Sequence, residues 1–430
     1  MDTILYYIRK FIPNVLFKIL QPPYHYIFAV LGAIWYRFPS KEIIVIGVTG
    51  TKGKSTVVEL INAIFEGDGK RTAVCGTIRF KIGEKSERNM FKMTMPGRFF
   101  MQRFLRDAVN SGCDVAIIEM TSQGVLQYRH KFIHLDALVF TNLSPEHIEA
   151  HGSYEKYIAA KLELARQLEK SSKRPRYIVA NKDDEHGEDF LEAKVEERLP
   201  YGLDTLELHT LNKDDISLVK DGSTIRVPLV GLFNVYNSLA AITVTEAFGV
   251  PIKTINTALS NLSPIKGRVE QFKSPKGADR KVTAVVDYAH TPDSLEKLYK
   301  AFGKERKICV LGNTGGGRDT WKRPEMGRIA GEYCERVILT NEDPYDEDPE
   351  KILQEMARGI EDESKLSVIM DRRRAIHTAL EEAPDGSVVI ISGKGTDPYI
   401  MGPNNTKMPW SDAKVVQREM QAIFSEHHEE

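Results

Sequence analysis

The 430-residue chain is predicted to be an α/β protein of two domains, each a mostly parallel sheet flanked by helices, behind a short helical N-terminal segment. Three observations carry that expectation. From Lys41 onward, buried-type apolar runs alternate with amphipathic stretches, the pattern of strand–helix–strand units. One run breaks into a glycine- and lysine-rich turn before a helix. Finally, the Pro-containing polar stretch Asn261–Lys266 (NLSPIK) separates one strand–helix series from a second, in a chain too long for a single core.

The run and its turn are Ile43–Thr56, IIVIGVTGTKGKST. Ile43, Ile44, Val45 and Ile46 read as a buried strand, and Ser55–Phe65 as the helix that follows. Gly50 and Gly53 let backbone N–H groups turn inward around an anion at a helix N-terminus. Thr51, Lys52 and Thr56 belong to the same loop. Lys54 adds a point charge for the β- and γ-phosphates of ATP, and the Ser55 hydroxyl can reach Mg²⁺. The spacing departs from the general phosphate-loop pattern, because Val48 stands where its first glycine would be.

Further strands are expected at Val115–Ile118, Ala137–Phe140, Tyr177–Ala180, Val282–Val286, Ile308–Leu311, Arg336–Leu339 and Val388–Ile391. Helices are expected at Arg98–Asn110, Tyr154–Lys170, Val235–Phe248, Asp293–Phe302 and Pro349–Arg358. Leu206–Val227, with short apolar pieces between Asp214-Asp215 and Asp221-Gly222, reads as antiparallel strands attached to the first domain. The division is thus 1–40, 41–264 and 265–430. Only the tail SEHHEE has the composition of a frayed end.

Composition is that of an ordinary soluble enzyme. Lys+Arg 59 against Asp+Glu 60 gives a net charge of -1, which argues against a nucleic-acid partner. Cys75, Cys113, Cys309 and Cys334 are scattered, with no CxxC pair and no zinc spacing, and read as reduced thiols of a cytoplasmic protein.

The first forty residues differ from the rest. They hold no acid after Asp2 but carry Arg9, Lys10, Lys18 and Arg37. Ile4, Tyr7, Phe11, Val15 and Ile19 fall near helical spacing, and Pro22-Pro23 is expected to break the chain before a second apolar run, Tyr24–Tyr36. That run is about 13 residues, short of the roughly 20 that cross a bilayer. A helical hairpin follows, lying either in a membrane interface, at the inner face of the membrane, or packed on the protein or a second subunit.

Chemistry is carried by further segments. In AIIEMTSQG the strand ends at Glu119, placing a carboxylate at the carboxyl edge of the sheet beside the phosphate loop. Glu119 and Ser55 make the sparse oxygen set that Mg²⁺ prefers. FTNLSPEHIEAHGSYEKYIAAK brings Glu146, His147, Glu149, His151 and Lys161 close in sequence. Lys161 lies in an otherwise apolar helix face, where a free ammonium is costly unless paired or modified.

Together, GTKGKST, the Glu119 strand, FTNL..EHIE.HG with Tyr157-x-x-Ala160-Lys161, GLFNVYNSLAA, GRVE, VDYAHTPDSL, GGGRDTWKRPEMG and ISGKG resemble the Mur ligases in content and order. YAHTPDSL and the GRDxxKRPxMG loop are most similar to the muramyl-tripeptide synthetase (MurE) branch, and the likeness covers about residues 43–420. It implies a central ATP-binding domain and a Rossmann-like C-terminal domain. It also implies two Mg²⁺ ions, the first at Ser55 and Glu119, the second with His147 and a carbamylated Lys161. Asn234 and Asn237 match adenine-side residues, and Arg268 and Asp287 match residues that close on the nucleotide. Thr94, Ser122, Arg129, Asp343, Tyr345, Gly393 and Asp397 fall at substrate-binding positions, with Arg318 and Lys322 serving the phosphates or the incoming amino acid.

The implied reaction is ATP-dependent amide-bond formation. A substrate carboxylate attacks the γ-phosphate, and the resulting acyl phosphate is attacked by an amino acid's amine. The implied acceptor is a muramyl-dipeptide in peptidoglycan precursor synthesis, and a poly-γ-glutamate or folylpolyglutamate type of ligase is the alternative. Two departures stand out. MurE proteins carry an N-terminal UDP-binding domain of about a hundred residues, where forty-odd apolar residues precede the loop here. Diaminopimelate-adding relatives carry Asp-Asn-Pro-Arg, where this chain has Glu342-Asp343-Pro344-Tyr345 followed by Asp346, Glu347 and Asp348. Loss of the arginine and the added anions favour a cationic amino acid such as lysine.

Overall fold

The computed structural model describes residues 14–146, 148–317 and 319–425. The expectations for His147, Arg318 and most of the SEHHEE tail lie outside the described residues. The chain forms two compact units. One comprises Met1–Glu146, Ser153–Leu203 and Leu239–Ile255; the other comprises His147–Gly152, Asp204–Ser238 and Asn256–Glu430. The division read at Asn261–Lys266 follows chain order, whereas by packing residues 204–238 and 256–264 go with the second unit.

The first unit is built on strands β1 (Ile44–Thr49), β2 (Thr72–Cys75), β3 (Arg79–Ile82), β4 (Lys85–Arg88), β5 (Val115–Glu119), β6 (Ala137–Phe140), β7 (Tyr177–Asn181) and β8 (Glu197–Tyr201). Their order is β4-β3-β2-β5-β1-β6-β7-β8. β2 through β8 pair in parallel, and β3 and β4 extend the edge as an antiparallel hairpin. The central strands are apolar and β-branched and are buried on both faces, as a helix-covered parallel sheet requires. β1 sits between β5 and β6, so the ends of three strands converge where the chain leaves β1. The register sets Val48 against Glu119 and Thr49 against Phe140.

The second unit carries β9 (Leu208–Leu211), β10 (Ile216–Lys220) and β11 (Ser223–Val227) as an antiparallel sheet. Its main sheet contains β12 (Glu270–Lys273), β13 (Thr283–Val286), β14 (Lys307–Leu311), β15 (Arg336–Leu339), β16 (Leu366–Val368) and β17 (Val388–Ile391), ordered β12-β13-β17-β14-β15-β16. All pairs except β12–β13 are parallel. Alternation assigns the two cores. Val285, Cys309, Leu311, Val337 and Ile390 pack on one face, and Ala284, Val286, Ile308, Val310 and Val389 on the other.

Two local expectations are corrected. Asn14–Trp35 is one continuous helix with Pro22 and Pro23 inside it, not a hairpin broken at the prolines. Both prolines are exposed, where water can meet carbonyls that lose their helical donors. Cys309 and Cys334 form a disulfide with Cα atoms 6.2 Å apart, while Cys75 and Cys113 are free and buried. The pairing joins β14 to the residue after helix Lys322–Tyr333, an approach that the 25-residue separation hides.

The second unit is locked by a fully buried ion pair. Arg372 meets Asp412 through two bonds of 2.8 Å and donates to the Ser392 carbonyl at 2.7 Å. Trp410 Nε1 donates to the same carboxylate at 2.8 Å. Removing one partner strands the other charge in the core, so Asp412→Ala is expected to destabilise this unit by about 3–5 kcal/mol, measured as a lower urea midpoint.

Candidate active site

The loop after β1 is shaped by close approach. Gly50 has φ +141°, and a Cβ there would lie 1.9 Å from Thr141 Oγ1. Gly53, at φ +83°, caps helix Lys54–Gly67. Residues at the end of β6 hold the loop from the other side. Thr51 N–H donates to the Asn142 carbonyl at 2.7 Å, and Lys52 N–H to Asn142 Oδ1 at 2.9 Å. Thr141 Oγ1 donates to the Lys52 carbonyl at 2.7 Å, and Asn142 Nδ2 donates to it at 3.1 Å. The result is a rigid turn opening onto a helix N-terminus, an arrangement suited to phosphate.

Around it the first unit gathers charge. Ser55 Oγ donates to Glu119 Oε2 at 3.0 Å, and Thr77 N–H donates to the same oxygen at 2.9 Å. Lys54 Nζ donates to the Thr51 carbonyl at 2.8 Å. Lys52 pairs with Glu146 at 2.9 Å. Lys161, buried on helix Tyr154–Glu169, donates to the Gly50 carbonyl at 2.5 Å. Burial, with Lys54 nearby, pushes the Lys161 amine well below its ordinary pKa, against a smaller pull from Glu146 and Glu119. Tyr157, one turn earlier, meets Thr51 Oγ1 at 3.0 Å, and burial raises its phenol. Among the described residues no group of three or more His, Cys, Asp or Glu forms a ready metal cage. Ser55 and Glu119 instead present a two-oxygen edge, which fits an Mg²⁺ that keeps waters and phosphate oxygens.

The remaining positions of this unit lie in the segments that follow β4 and β5. Thr94 Oγ1 meets Thr77 Oγ1 at 2.8 Å, so it neighbours the Glu119 carboxylate through Thr77. Ser122 opens the short helix Ser122–Leu126 and is buried. Arg129 donates to the Met95 carbonyl and, at 2.5 Å, to Gln127 Oε1. Burial and the neighbouring Arg98 lower its pKa to about 10.

In the second unit, Asp287 accepts from the N–H groups of Val269 at 2.8 Å and Ala289 at 2.7 Å. Burial raises its pKa, opposed first by Arg268. Arg268 lies over the Tyr288 ring, 4.7 Å from its centroid. Asn234 donates to the Val230 carbonyl at 2.8 Å and receives Asn237 Nδ2 at 2.9 Å. Lys322 opens helix Lys322–Tyr333 and is buried. Asp343 is held by Lys394 Nζ and Met401 N–H, each at 2.8 Å, and Asp397 reaches Lys394 at 3.4 Å. Tyr345 takes a left-handed conformation, φ +53°, with its N–H on the Met401 carbonyl at 3.2 Å.

Sequence reasoning gave no role to Thr141 or Asn142, and placed Glu342 only within the acidic segment 342–348. Glu342 is buried; Oε1 accepts from Thr314 Oγ1 at 3.0 Å, and Oε2 has no hydrogen-bond partner among the described residues. A Cβ on Gly393 would lie 2.2 Å from that oxygen, so only a glycine there lets the carboxylate pack so closely.

A β1–glycine loop–helix with a strand-end carboxylate, followed by a second parallel-sheet unit, defines a nucleotide-dependent enzyme of the ligase class. Residues 48–245 match the Mur ligase middle domain, and residues 267–395 the Mur ligase glutamate ligase domain. The UDP-N-acetylmuramoyl-L-alanyl-D-glutamate–2,6-diaminopimelate ligase of Syntrophomonas wolfei is 36% identical over 387 residues, 86% of this chain and 77% of that protein. The UDP-N-acetylmuramyl-tripeptide synthetase of Roseiflexus sp. is 35% identical over 419 residues, 91% and 81% of the two chains. A solved UDP-N-acetylmuramoyl-L-alanyl-D-glutamate–2,6-diaminopimelate ligase superposes with TM-score 0.59 at 30% identity, covering 90% of this chain and 79% of that one. Folylpolyglutamate synthase of Mycobacterium tuberculosis shares the fold at TM-score 0.67 and 15% identity, over 86% and 92%. The chain belongs to the Mur ligase family and is an ATP-dependent, ADP-forming ligase of the MurE type.

Because a methyl at Gly50 collides with the clamp from β6, Gly50→Ala is expected to cost about 1–3 kcal/mol and to abolish ATP binding in calorimetry. Gly69→Ala, also at positive φ but with nothing within 4 Å of its Cβ, is expected to leave ATP binding intact.

Proposed function

We propose that this ligase joins an amino acid with a cationic side chain, such as lysine, to the free carboxylate of a muramyl-dipeptide in the cytoplasm, with residues 1–40 touching the inner face of a membrane. The observation that carries the amino-acid reading is the free, buried Glu342 oxygen beside Gly393. The other acids near it are committed. Asp343 is tied to Lys394, and Asp346 accepts from Asn404 N–H at 2.6 Å. Glu347 pairs with Arg323 at 2.6 Å, and Asp348 caps helix Pro349–Ala357. Glu342 is left to receive an ammonium, and at Tyr345 no guanidinium awaits a second carboxylate.

In this reading the 50–56 loop binds the ATP phosphates with its N–H groups and Lys54, and Asn234 and Asn237 serve the adenine side. Ser55 and Glu119 would hold the first Mg²⁺, and His147 with a carbamylated Lys161 would hold the second. Bound there, the ions would neutralise phosphate charge as it develops. Thr94, Ser122 and Arg129 orient the acceptor carboxylate for in-line attack on the γ-phosphate. Arg268, set against Asp287, adds positive charge on the nucleotide. Glu342, Asp343, Gly393 and Asp397 place the incoming amine against the acyl phosphate, with Arg318 and Lys322 beside the phosphates.

The depressed pKa of Lys161 supports carbamylation, because a neutral amine adds CO₂ and releases one proton. With ¹³C-bicarbonate, the wild type is expected to give a carbamate resonance that Lys161→Arg lacks. A fully active wild type without that resonance would contradict the assignment.

Phosphate release from ATP, measured with crossed panels of acceptors and amino acids, tests the reaction. Release is expected with UDP-muramyl-dipeptide or its lipid-linked form, faster with lysine than with diaminopimelate. Glu342→Gln is expected to lower kcat/KM for lysine roughly 10- to 100-fold, the worth of a charged hydrogen bond. Faster turnover of diaminopimelate would overturn the amino-acid reading, and release only with glutamate oligomers or folate would overturn the acceptor.

A further inference from the structure

Helix Asn14–Trp35 is amphipathic in the wrong sense for a protein surface. Apart from His25, which is buried against Arg98, the residues it turns inward are small. Ala29 and Ala33 are buried, and Gly32 packs on Phe99, where a Cβ would lie 3.5 Å from that residue's Cα. The large apolar residues face outward, with Leu20, Tyr24, Ile27, Leu31, Ile34 and Trp35 between 44 and 76% exposed. Hydrophobic burial against the protein alone would reverse this arrangement.

The apolar surface continues beyond the helix. Phe99, itself exposed, touches Phe28 and Tyr36 with ring centroids 6.1 and 6.5 Å apart. Phe100, next in the chain, meets Phe91 edge-on with ring centroids 5.5 Å apart. Met90, Phe91 and Met93 add exposed side chains at 47, 52 and 42%. Beneath this surface lie two guanidinium groups. Arg98 donates to the Gln127 carbonyl at 2.8 Å and lies 5.9 Å from the Tyr24 ring centroid; Arg129 reaches Met93 Sδ at 3.6 Å. Residues 3–40 add Arg9, Lys10, Lys18 and Arg37 and contain no acid.

We propose that the outward face of this helix, together with Phe99 and the 90–93 segment, docks on an anionic lipid bilayer, the helix lying in the plane of the headgroups. The inference deepens the proposed membrane contact of residues 1–40 and rests on it, independently of the ligase chemistry. Charge selects the occupant. A second copy would bring together two copies of a segment whose residues 3–40 carry four basic residues and no acid, whereas an anionic surface attracts each lysine and arginine near it. Shape agrees, since Trp35 and Tyr26 widen the apolar face beyond the narrow seam of a paired helix. No helix among the described residues is long and apolar enough to cross a membrane. The same surface borders Thr94 and Arg129 and places a substrate held there beside the lipid.

The test is cosedimentation of the full chain with vesicles of phosphatidylcholine alone or with one quarter phosphatidylglycerol, without ATP or substrate. Binding is expected to be at least tenfold tighter with phosphatidylglycerol. It should fall at least tenfold in Ile27→Ser/Ile34→Ser. Lys10→Glu/Lys18→Glu, which removes charge but no apolar side chain, should lose the preference for phosphatidylglycerol. Binding that ignores both the serine variant and the headgroup overturns the assigned face while leaving a membrane contact standing; no binding to either vesicle overturns both. A solution dimer dissociated by the serine substitutions, with vesicle binding unchanged, assigns the face to a second copy and overturns the proposal.

Discussion

The clamp that Thr141 and Asn142 place on the 49–55 loop is the constraint on which the active site depends. A phosphate loop must keep several N–H groups pointed at one spot, an arrangement that a free chain would relax. Here the neighbouring strand supplies the restraint, with four hydrogen bonds onto Thr51 and Lys52. Asn181, at the end of β7, in turn holds the Thr141 carbonyl at 3.0 Å. The order β5-β1-β6-β7 therefore carries rigidity from strand to strand into the loop, which is how a parallel sheet makes a precise anion site at its carboxyl edge.

That rigidity decides the electrostatics. Lys52, Lys54 and Lys161 crowd a loop that has Glu119 and Glu146 as its nearby carboxylates. Lys52 takes Glu146, Lys54 turns back to a carbonyl, and Lys161 is left buried with a carbonyl partner and a depressed pKa. An ammonium there is unfavourable, and conversion to an anion would relieve two problems together. It removes a cation from a crowded cationic site and supplies oxygen ligands where the described residues offer few.

Much of this was legible in the sequence because each signal was local. The β1 run, its glycine loop and the helix after it are contiguous, and Glu119 ends its strand where the apolar run Val115–Ile118 stops. Arg98–Asn110 was readable from period alone and has those bounds. What failed to show depends on distance. Cys309 and Cys334 meet only because helix Lys322–Tyr333 returns the chain to β14. Pro22-Pro23 signals a break when only propensity is weighed. The helix runs through because both prolines face outward, a fact that no dipeptide rule contains. The roles of Thr141 and Asn142 likewise require knowing which strand stands beside β1.

The acids at 342–348 show why composition alone is a weak guide to specificity. In sequence they form one anionic block that attracts any cation. In the fold their charges are spent separately, on Lys394, on Arg323, on a backbone N–H and on a helix cap. Arg323 is itself fully buried and also pairs with Glu355 at 2.7 Å, so Glu347 belongs to the framework and has little left for a ligand. A block of this kind discriminates between amino acids only through members whose oxygens stay unclaimed. That narrows the electrostatic argument from five acids to the Glu342 carboxylate, whose unpartnered oxygen is buried against Gly393. A single desolvated carboxylate is a sharper selector than a solvated cluster, because an ammonium satisfies it, whereas a second carboxylate would leave two buried anions facing each other.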